Sequence, residues 1–303
     1  MQTLVGHQKT FNYFQKMIEQ GTLHHAYALA GPQHVGKTTL AKHISAEILN
    51  TSVEKLPIHP DFLHIERIDE DGKLKKDITV EHIAQVTSKV MMTPMASKFN
   101  IVLIEDADKM NAYAANALLK TLEEPATPTI FFLLTPSLET LLPTIKSRVH
   151  SLELARVPLE ILESECQKLF LDELNLAEMV QYSQGLPGLI LQWKENPELF
   201  EDYKKEVERF FALFNKPLYE KIALVEPLFG DKKAHIEGRQ ELVQTLRIWE
   251  QCVQTLIMGS RTFPQVTPGT LVPIYDTIVR TISGLGQNIH PRLLVENILL
   301  TLP

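Results

Sequence analysis

The stretch Gly31-Pro32-Gln33-His34-Val35-Gly36-Lys37-Thr38 matches the pattern G-x-x-x-x-G-K-[ST]. In this pattern, backbone N–H groups of a loop surround nucleotide phosphates, the lysine neutralises their charge and the hydroxyl reaches Mg²⁺. Residues 26–30 before it form an apolar run typical of a buried parallel strand, and residues 40–49 after it carry an apolar helical face. Strand, loop and helix therefore follow the order of a P-loop, in which the helix dipole and the free N–H groups favour bound phosphate.

A cluster of acids follows another apolar run. Residues 100–104 read Asn-Ile-Val-Leu-Ile, and Glu105-Asp106-Ala107-Asp108 come directly after them. In P-loop proteins, carboxylates at such a strand end hold Mg²⁺ and polarise the attacking water. The alternative reading is a solvated strand end whose acids cap a helix. Together with the loop, the cluster predicts a site for ATP or ADP with Mg²⁺. Its nucleotide-binding residues would be Gly31, Gly36, Lys37, Thr38, Thr39 and Glu105, with Thr38 and Glu105 holding the metal.

Short apolar strands alternate with helical stretches up to about residue 155, the pattern of an open, mostly parallel α/β sheet covered on both faces. The predicted strands span residues 27–30, 62–65, 101–104, 130–134 and 151–154, and a polar turn is expected at 69–73. After Val157-Pro158 only helical patterns remain. The sequence predicts three domains: a nucleotide-binding domain at 1–157, a small helical domain at 158–200 and an all-helical domain at 201–303.

The composition excludes several classes of protein. The 303 residues are 44% hydrophobic with a net charge of −7, which disfavours a broad basic surface for nucleic acid. Only Cys166 and Cys252 occur, so neither a disulfide framework nor a cysteine zinc cluster is available. No apolar run approaches the roughly 20 residues of a membrane span, and the amino terminus lacks the layout of a signal peptide. We therefore expect a cytoplasmic protein without a membrane association.

The stretch from Asn111 to Pro125, NAYAANALLKTLEEP, is the most specific in the chain. With His24-His25-Ala26-Tyr27, His59-Pro60-Asp61 and residues 288–293 in the same order, it resembles the AAA+ clamp-loader ATPases of DNA replication. Within that family it is most similar to the bacterial DNA polymerase III delta-prime subunits, with gamma/tau as relatives. The resemblance implies an AAA+ P-loop domain, a helical lid domain and a helical collar domain for oligomerisation. The partners it implies are gamma/tau-like and delta-like subunits, the sliding clamp and primer–template DNA.

The resemblance also implies roles for two further residues. Thr135, at the end of the strand at 130–134, falls where these proteins have sensor 1, a polar side chain facing the γ-phosphate. A strand-end hydroxyl is the alternative. Arg148, in Ser147-Arg148-Val149, falls where they have a trans arginine finger that stabilises charge on a neighbour's ATP. A surface salt bridge is the alternative for Arg148.

The chain departs from the family pattern at three places. Glu105-Asp106 stands where active motors usually have Asp-Glu, and a shorter Asp106 at the catalytic position is expected to misplace the attacking water. Leu189 occupies the place of a lid arginine. The four-cysteine zinc module is missing, and the spacing of His43, His59, His64 and Asp61 fits no common zinc template, so we expect no structural zinc.

These departures favour a delta-prime-like subunit of a DNA polymerase III clamp loader that binds ATP and hydrolyses it weakly or not at all by itself. The alternative is a gamma/tau-like motor that hydrolyses ATP. A small-molecule kinase is a third class, against which the long helical carboxyl-terminal third argues.

Overall fold

The computed structural model describes residues 4–67, 75–170, 175–229, 237–257, 268–285 and 290–303. The polar turn predicted at 69–73 lies outside these residues, as do positions 288 and 289. The chain divides into two compact units, Met1–Gln192 and Trp193–Pro303. The three-domain division stays a prediction.

A five-stranded parallel sheet forms the centre of the first unit, which confirms the predicted fold class. Its strands are β1 (Ala26–Ala30), β2 (Phe62–Ile65), β3 (Asn100–Ile104), β4 (Thr129–Thr135) and β5 (His150–Glu153), in the order β2-β3-β4-β1-β5. Every residue of β1, β3 and β4 is buried, which explains why these strands are continuous apolar runs rather than alternating ones.

Helices of the first unit surround this sheet. They are α1 (Gln8–Gln20), α2 (Lys37–Ile48), α3 (Val80–Met91), α4 (Ala112–Glu123), α5 (Pro143–Lys146), α6 (Leu159–Leu169), α7 (Leu176–Ser183) and α8 (Pro187–Glu195), whose last turn enters the second unit. Short 3-10 helices span Val53–Ile58, Ala107–Lys109 and Leu138–Thr140. Asn111 caps α4, as the sequence predicts, because its Oδ1 accepts a hydrogen bond of 2.9 Å from the Ala114 N–H.

The described part of the second unit is helical. It contains α9 (Pro197–Ala212), α10 (Leu218–Val225), the 3-10 helix Glu226–Phe229, α11 (Glu237–Ile257), α12 (Pro268–Leu285) and α13 (Pro291–Thr301). The predicted stripe on α11 is confirmed, since Leu242, Leu246, Trp249, Val253 and Leu256 are all buried. Among the described residues, no helix combines the length and apolar character that a membrane span requires.

Candidate functional site

The site lies at the edge of the sheet where the parallel strands end. The register pairs Ala30 with Thr135 and Ile65 with Ile104, so the carboxyl ends of the four strands that carry these residues share one edge. The predicted loop leaves β1 at this edge and the acidic cluster leaves β3. Ligands of open α/β sheets bind at the carboxyl ends of the strands.

The loop leads directly into α2. Gly36 is the residue before the helix and has a φ of +106°, a conformation that favours glycine. The Leu40 N–H donates to the Gly36 carbonyl at 2.9 Å, which closes the first turn. The N–H groups of Lys37, Thr38 and Thr39 precede this bond and have no partner within the helix, so they can donate to phosphate oxygens.

Contacts from distant parts of the first unit hold the loop in place. The His7 Nε2 lies 2.9 Å from the Val35 carbonyl oxygen. The Gly188 N–H donates to the His34 carbonyl at 2.9 Å, and a Cβ on Gly188 would lie 2.9 Å from that oxygen. Burial lowers the pKa of both histidines, so the neutral imidazole is favoured at each. No sequence pattern points to His7 or His34 as site residues, because their roles depend on contacts between distant segments.

Lys37 is the cation of the site. Its Nζ donates to the Gly31 carbonyl at 2.6 Å and to the Pro32 carbonyl at 2.9 Å. Burial lowers the pKa of Lys37 to about 8, although the negative charges of Asp106, Asp108 and Glu105 act in the opposite direction. The structure therefore brings the loop lysine and the acidic cluster together, as the two motifs predict.

Glu105 connects the acidic cluster with the loop. Its Oε1 lies 2.9 Å from the His64 Nε2, and its carboxylate also accepts a hydrogen bond from the Thr38 hydroxyl. Burial alone would raise the pKa of Glu105, but the contacts with His64 and Thr38 and the charge of Lys42 outweigh it and lower the pKa. A carboxylate beside a hydroxyl at the start of a P-loop helix is the donor chemistry that suits Mg²⁺.

Asp106 and Asp108 have different surroundings. Asp106 has a φ of +48°, and its Oδ2 accepts hydrogen bonds from Arg67 at 2.9 Å (Nε) and 2.8 Å (guanidinium nitrogen). Asp108 is nearly buried, with Oδ2 3.0 Å from the Lys109 Nζ and Oδ1 without a partner among the described residues. A buried oxygen without a partner is costly, so the cluster retains an acceptor for a hydrated cation, and these residues fit a magnesium–nucleotide complex. No sequence pattern points to Arg67, which meets Asp106 across 39 positions.

Thr135 is buried at the end of β4. Its hydroxyl donates to the Ser137 carbonyl at 2.9 Å and lies 2.8 Å from the Thr140 hydroxyl. These are the contacts of a strand-end hydroxyl. Its sensor role stays a prediction.

Arg148 forms an ion pair with Glu123, as expected for the alternative to a trans arginine finger. Its Nε donates to the Glu123 Oε1 at 2.7 Å, and its NH1 donates to the Thr144 carbonyl at 2.9 Å. The Arg148 side chain is 34% exposed, and exposed ion pairs contribute little to stability. The guanidinium can therefore change partners at low cost, and its role as a trans finger stays a prediction.

The remaining departures from the family pattern are Leu189 and the missing zinc module. Leu189, in α8, is buried with 7% of its surface exposed, so it is a core residue. The residues considered as zinc ligands are not grouped: within the described part of the chain, His64 clusters with Glu66 and Glu105, and His43, His59 and Asp61 belong to no such group.

Comparison with known proteins places this site within one family. Residues 6–158, half of the chain, match the family model described as DNA polymerase III, delta subunit. The DNA polymerase III subunit delta' of Pseudomonas aeruginosa is 36% identical over 138 residues, 41% of each chain. The DNA polymerase III subunit gamma of Buchnera aphidicola subsp. Schizaphis graminum is 33% identical over 156 residues, 48% of this chain and 42% of the relative. The matches thus span less than half the length of these relatives.

A solved structure extends the likeness in fold to nearly the whole chain. The DNA polymerase III gamma subunit-related protein of Thermotoga maritima superposes with a TM-score of 0.55 at 19% identity, covering 96% of this chain and 97% of that one. At this identity the likeness concerns the fold alone. The family model covers the whole of the sheet and its P-loop, and on that match the chain belongs to the DNA polymerase III, delta subunit family.

Proposed function

We propose that this protein is a delta-prime-like subunit of a DNA polymerase III clamp-loader complex. It would act in the cytoplasm in a hetero-oligomer with gamma/tau-like and delta-like subunits, supporting ATP-dependent loading of the sliding clamp onto primed DNA. One observation carries the proposal: a complete phosphate loop lies beside an acidic cluster whose shorter carboxylate, Asp106, is already bonded to Arg67. Such a site suits nucleotide binding better than turnover.

Nucleotide binding would use the groups that converge at the sheet edge. Lys37 would leave the Gly31 and Pro32 carbonyls and neutralise the phosphates, while the N–H groups of the loop and of α2 donate to them. Thr38 and Glu105 would hold Mg²⁺, which shields the phosphate charge when bound. Gly31, Gly36 and Thr39 shape this cradle.

Hydrolysis would be weak in the isolated chain. Asp106 stands at the position of a catalytic base, but its Oδ2 is held by Arg67, and Leu189 supplies no charge from α8. Thr135 would act as sensor 1 only if its hydroxyl turned away from Ser137 and Thr140.

This subunit would contribute a catalytic group to the ATP site of a neighbouring subunit. Arg148, released from Glu123, would reach the γ-phosphate bound by a gamma/tau-like subunit and stabilise the charge that develops there. The helical second unit would form part of the collar, and primer–template DNA would bind only to the assembled complex.

A gamma/tau-like motor is the second candidate function. The complete loop and the 33% identity to a gamma subunit favour it. The two candidates differ in where turnover occurs: a motor hydrolyses ATP by itself, whereas a delta-prime-like subunit stimulates its neighbour.

The test is to measure ATP binding and steady-state hydrolysis on the isolated chain, with Lys37→Ala as the binding control. Hydrolysis is then measured in a complex with a gamma-type subunit, comparing Arg148→Ala with Arg247→Ala, which removes another surface ion pair. We expect Lys37-dependent binding without turnover, and partner activity that falls at least ~10³-fold with Arg148→Ala alone. Lys37-dependent turnover by the isolated chain would instead establish the motor.

A further inference from the structure

A histidine and two glutamates meet beside the phosphate loop. The His64 Nε2 lies 2.9 Å from the Glu105 Oε1 and 3.8 Å from the Glu66 Oε1, and one donor atom from each residue falls within 4.8 Å of the other two. Glu66 has no assigned part in nucleotide binding. The cluster therefore combines an imidazole and two carboxylates, of which only Glu105 is proposed to take part in nucleotide binding.

The sheet brings these side chains together. His64 lies in β2 and Glu66 just beyond it, two positions apart, so they share one face where the extended backbone continues. The Glu105 N–H donates to the Ile65 carbonyl at 3.0 Å, which continues the ladder between β2 and β3 past the pair Ile65 and Ile104. Glu66 and Glu105 are thus neighbours on the adjacent segments that continue β2 and β3, and like charges in such positions repel unless a cation lies between them.

We propose that His64, Glu66 and Glu105 form a site for an exchangeable divalent transition-metal ion of the Zn²⁺ class. Imidazole nitrogen suits Zn²⁺, Co²⁺ and related ions, whereas Mg²⁺ takes oxygen ligands. Ligand atoms around tetrahedral zinc lie about 3.3 Å apart, given bonds of about 2.0–2.1 Å. The two distances from His64 lie on either side of this value, so small side-chain movements would complete the site.

The exposure of the three side chains determines the kind of site. His64, Glu105 and Glu66 are 19%, 28% and 45% exposed, so water can fill the remaining coordination positions and the ion can exchange with solution. Structural zinc sites are closed by four protein ligands. The proposed site is therefore open and exchangeable, in contrast to a structural zinc module, which we do not expect in this chain.

Metal binding would oppose nucleotide binding because both use Glu105. In the structure Glu105 bonds to both His64 and Thr38, and Thr38 starts the nucleotide helix. A transition ion bound through His64 and Glu66 would withdraw Glu105 from the magnesium position and weaken ATP binding. This consequence rests on the proposed function, whereas metal binding itself does not.

The experiment uses the full chain without an affinity tag, freed of nucleotide and stripped of metal by a chelator. Co²⁺ is titrated and followed by visible absorption, and Zn²⁺ is titrated by calorimetry. We expect one metal ion to bind per chain. His64→Ala should reduce the metal affinity at least ~10-fold, and Glu66→Gln should reduce it by a smaller factor. His25→Ala removes an exposed histidine outside the cluster and should leave the affinity unchanged.

Two results would overturn the proposal: no saturable Co²⁺ or Zn²⁺ binding at millimolar metal, or the same affinity in His64→Ala as in the unaltered chain. Circular dichroism verifies folding, and if His64→Ala is unfolded, the exposed Glu66→Gln decides instead. A separate titration of MgATP in the presence of Zn²⁺ tests the antagonism. Failure of MgATP to bind in the absence of Zn²⁺ would contradict the proposed function and leave the metal site standing.

Discussion

At the scale of single residues, the ionisation of Lys37 would govern the proposed binding of phosphate. Its pKa in the nucleotide-free chain is about 8, because burial opposes the charged form. Phosphate binds the ammonium form and must raise this pKa, so nucleotide binding takes up a proton near pH 8. Between pH 7 and pH 9 the protonated fraction falls about tenfold, and we expect the ATP affinity to fall by a similar factor.

Calorimetry in two buffers of different ionisation enthalpy measures this proton uptake directly. Lys37→Arg provides the matched comparison, since a guanidinium stays protonated throughout the range. If it binds ATP, its affinity should be flat where that of the unaltered chain declines. An unaltered chain that binds ATP at pH 8 without proton uptake would contradict the lowered pKa.

At the scale of elements, buried Asp61 joins the start of β2 to the segment before β3. Its carboxylate accepts hydrogen bonds of 2.7–2.8 Å from the N–H groups of Met95, Ala96 and Ser97. Burial acts to raise the pKa of Asp61, but these bonds outweigh it and lower the pKa below the ordinary value of an aspartate. The stabilisation that the ionised Asp61 gives the folded protein is therefore present at neutral pH, and it is lost as the pH falls through the lowered pKa.

We expect Asp61→Asn to lower the free energy of unfolding by about 3 kcal/mol, because the amide replaces charged hydrogen bonds and leaves N–H groups without partners. Urea unfolding followed by circular dichroism at pH 7 measures this loss. Asp202→Asn makes the same change in an exposed ion pair and should cost less than about 1 kcal/mol. Equal losses in the two variants would show that Asp61 does not hold the segment.

Lys221 plays a comparable part in the second unit. Its buried Nζ donates to the carbonyls of Leu302, at 2.7 Å, and Pro303, at 3.1 Å, just beyond α13. We expect Lys221→Met to lower the free energy of unfolding by about 2 kcal/mol, because the Leu302 carbonyl loses this donor. The Pro303 carbonyl keeps the hydrogen bond of 2.8 Å from the Asn215 N–H. Both tryptophans of the chain, Trp193 and Trp249, lie in this unit, so fluorescence during urea unfolding reports the change. Lys216→Met, at an exposed pair, is the control; a Lys221 variant as stable as this one would refute the role.

The elements were largely predictable from the sequence because they depend on local patterns. The apolar run at 62–65 predicts a strand with the observed ends, and the Asn111 cap follows from four consecutive residues. The contacts of the site were less predictable. His64 meets Glu105 across 41 positions, and His7 meets the loop across 28, because the order of the strands and helices in space brings them together. Periodicity along the chain carries no information on such pairings.

At the scale of the whole molecule, the division into two units makes a prediction about nucleotide binding. Every residue proposed to bind or sense nucleotide, from Gly31 to Arg148, lies within Met1–Gln192, as do His7 and Gly188 that hold the loop. A compact unit with its own core can fold alone. A fragment of residues 1–195, which ends with α8, should therefore bind MgATP with a dissociation constant within about threefold of that of the full chain, a difference of less than about 1 kcal/mol in binding free energy.

Calorimetry on both proteins provides the comparison, with Lys37→Ala in the fragment as the control for site-specific binding. A fragment that is folded by circular dichroism but binds more than about tenfold more weakly would show that the second unit contributes to the nucleotide site.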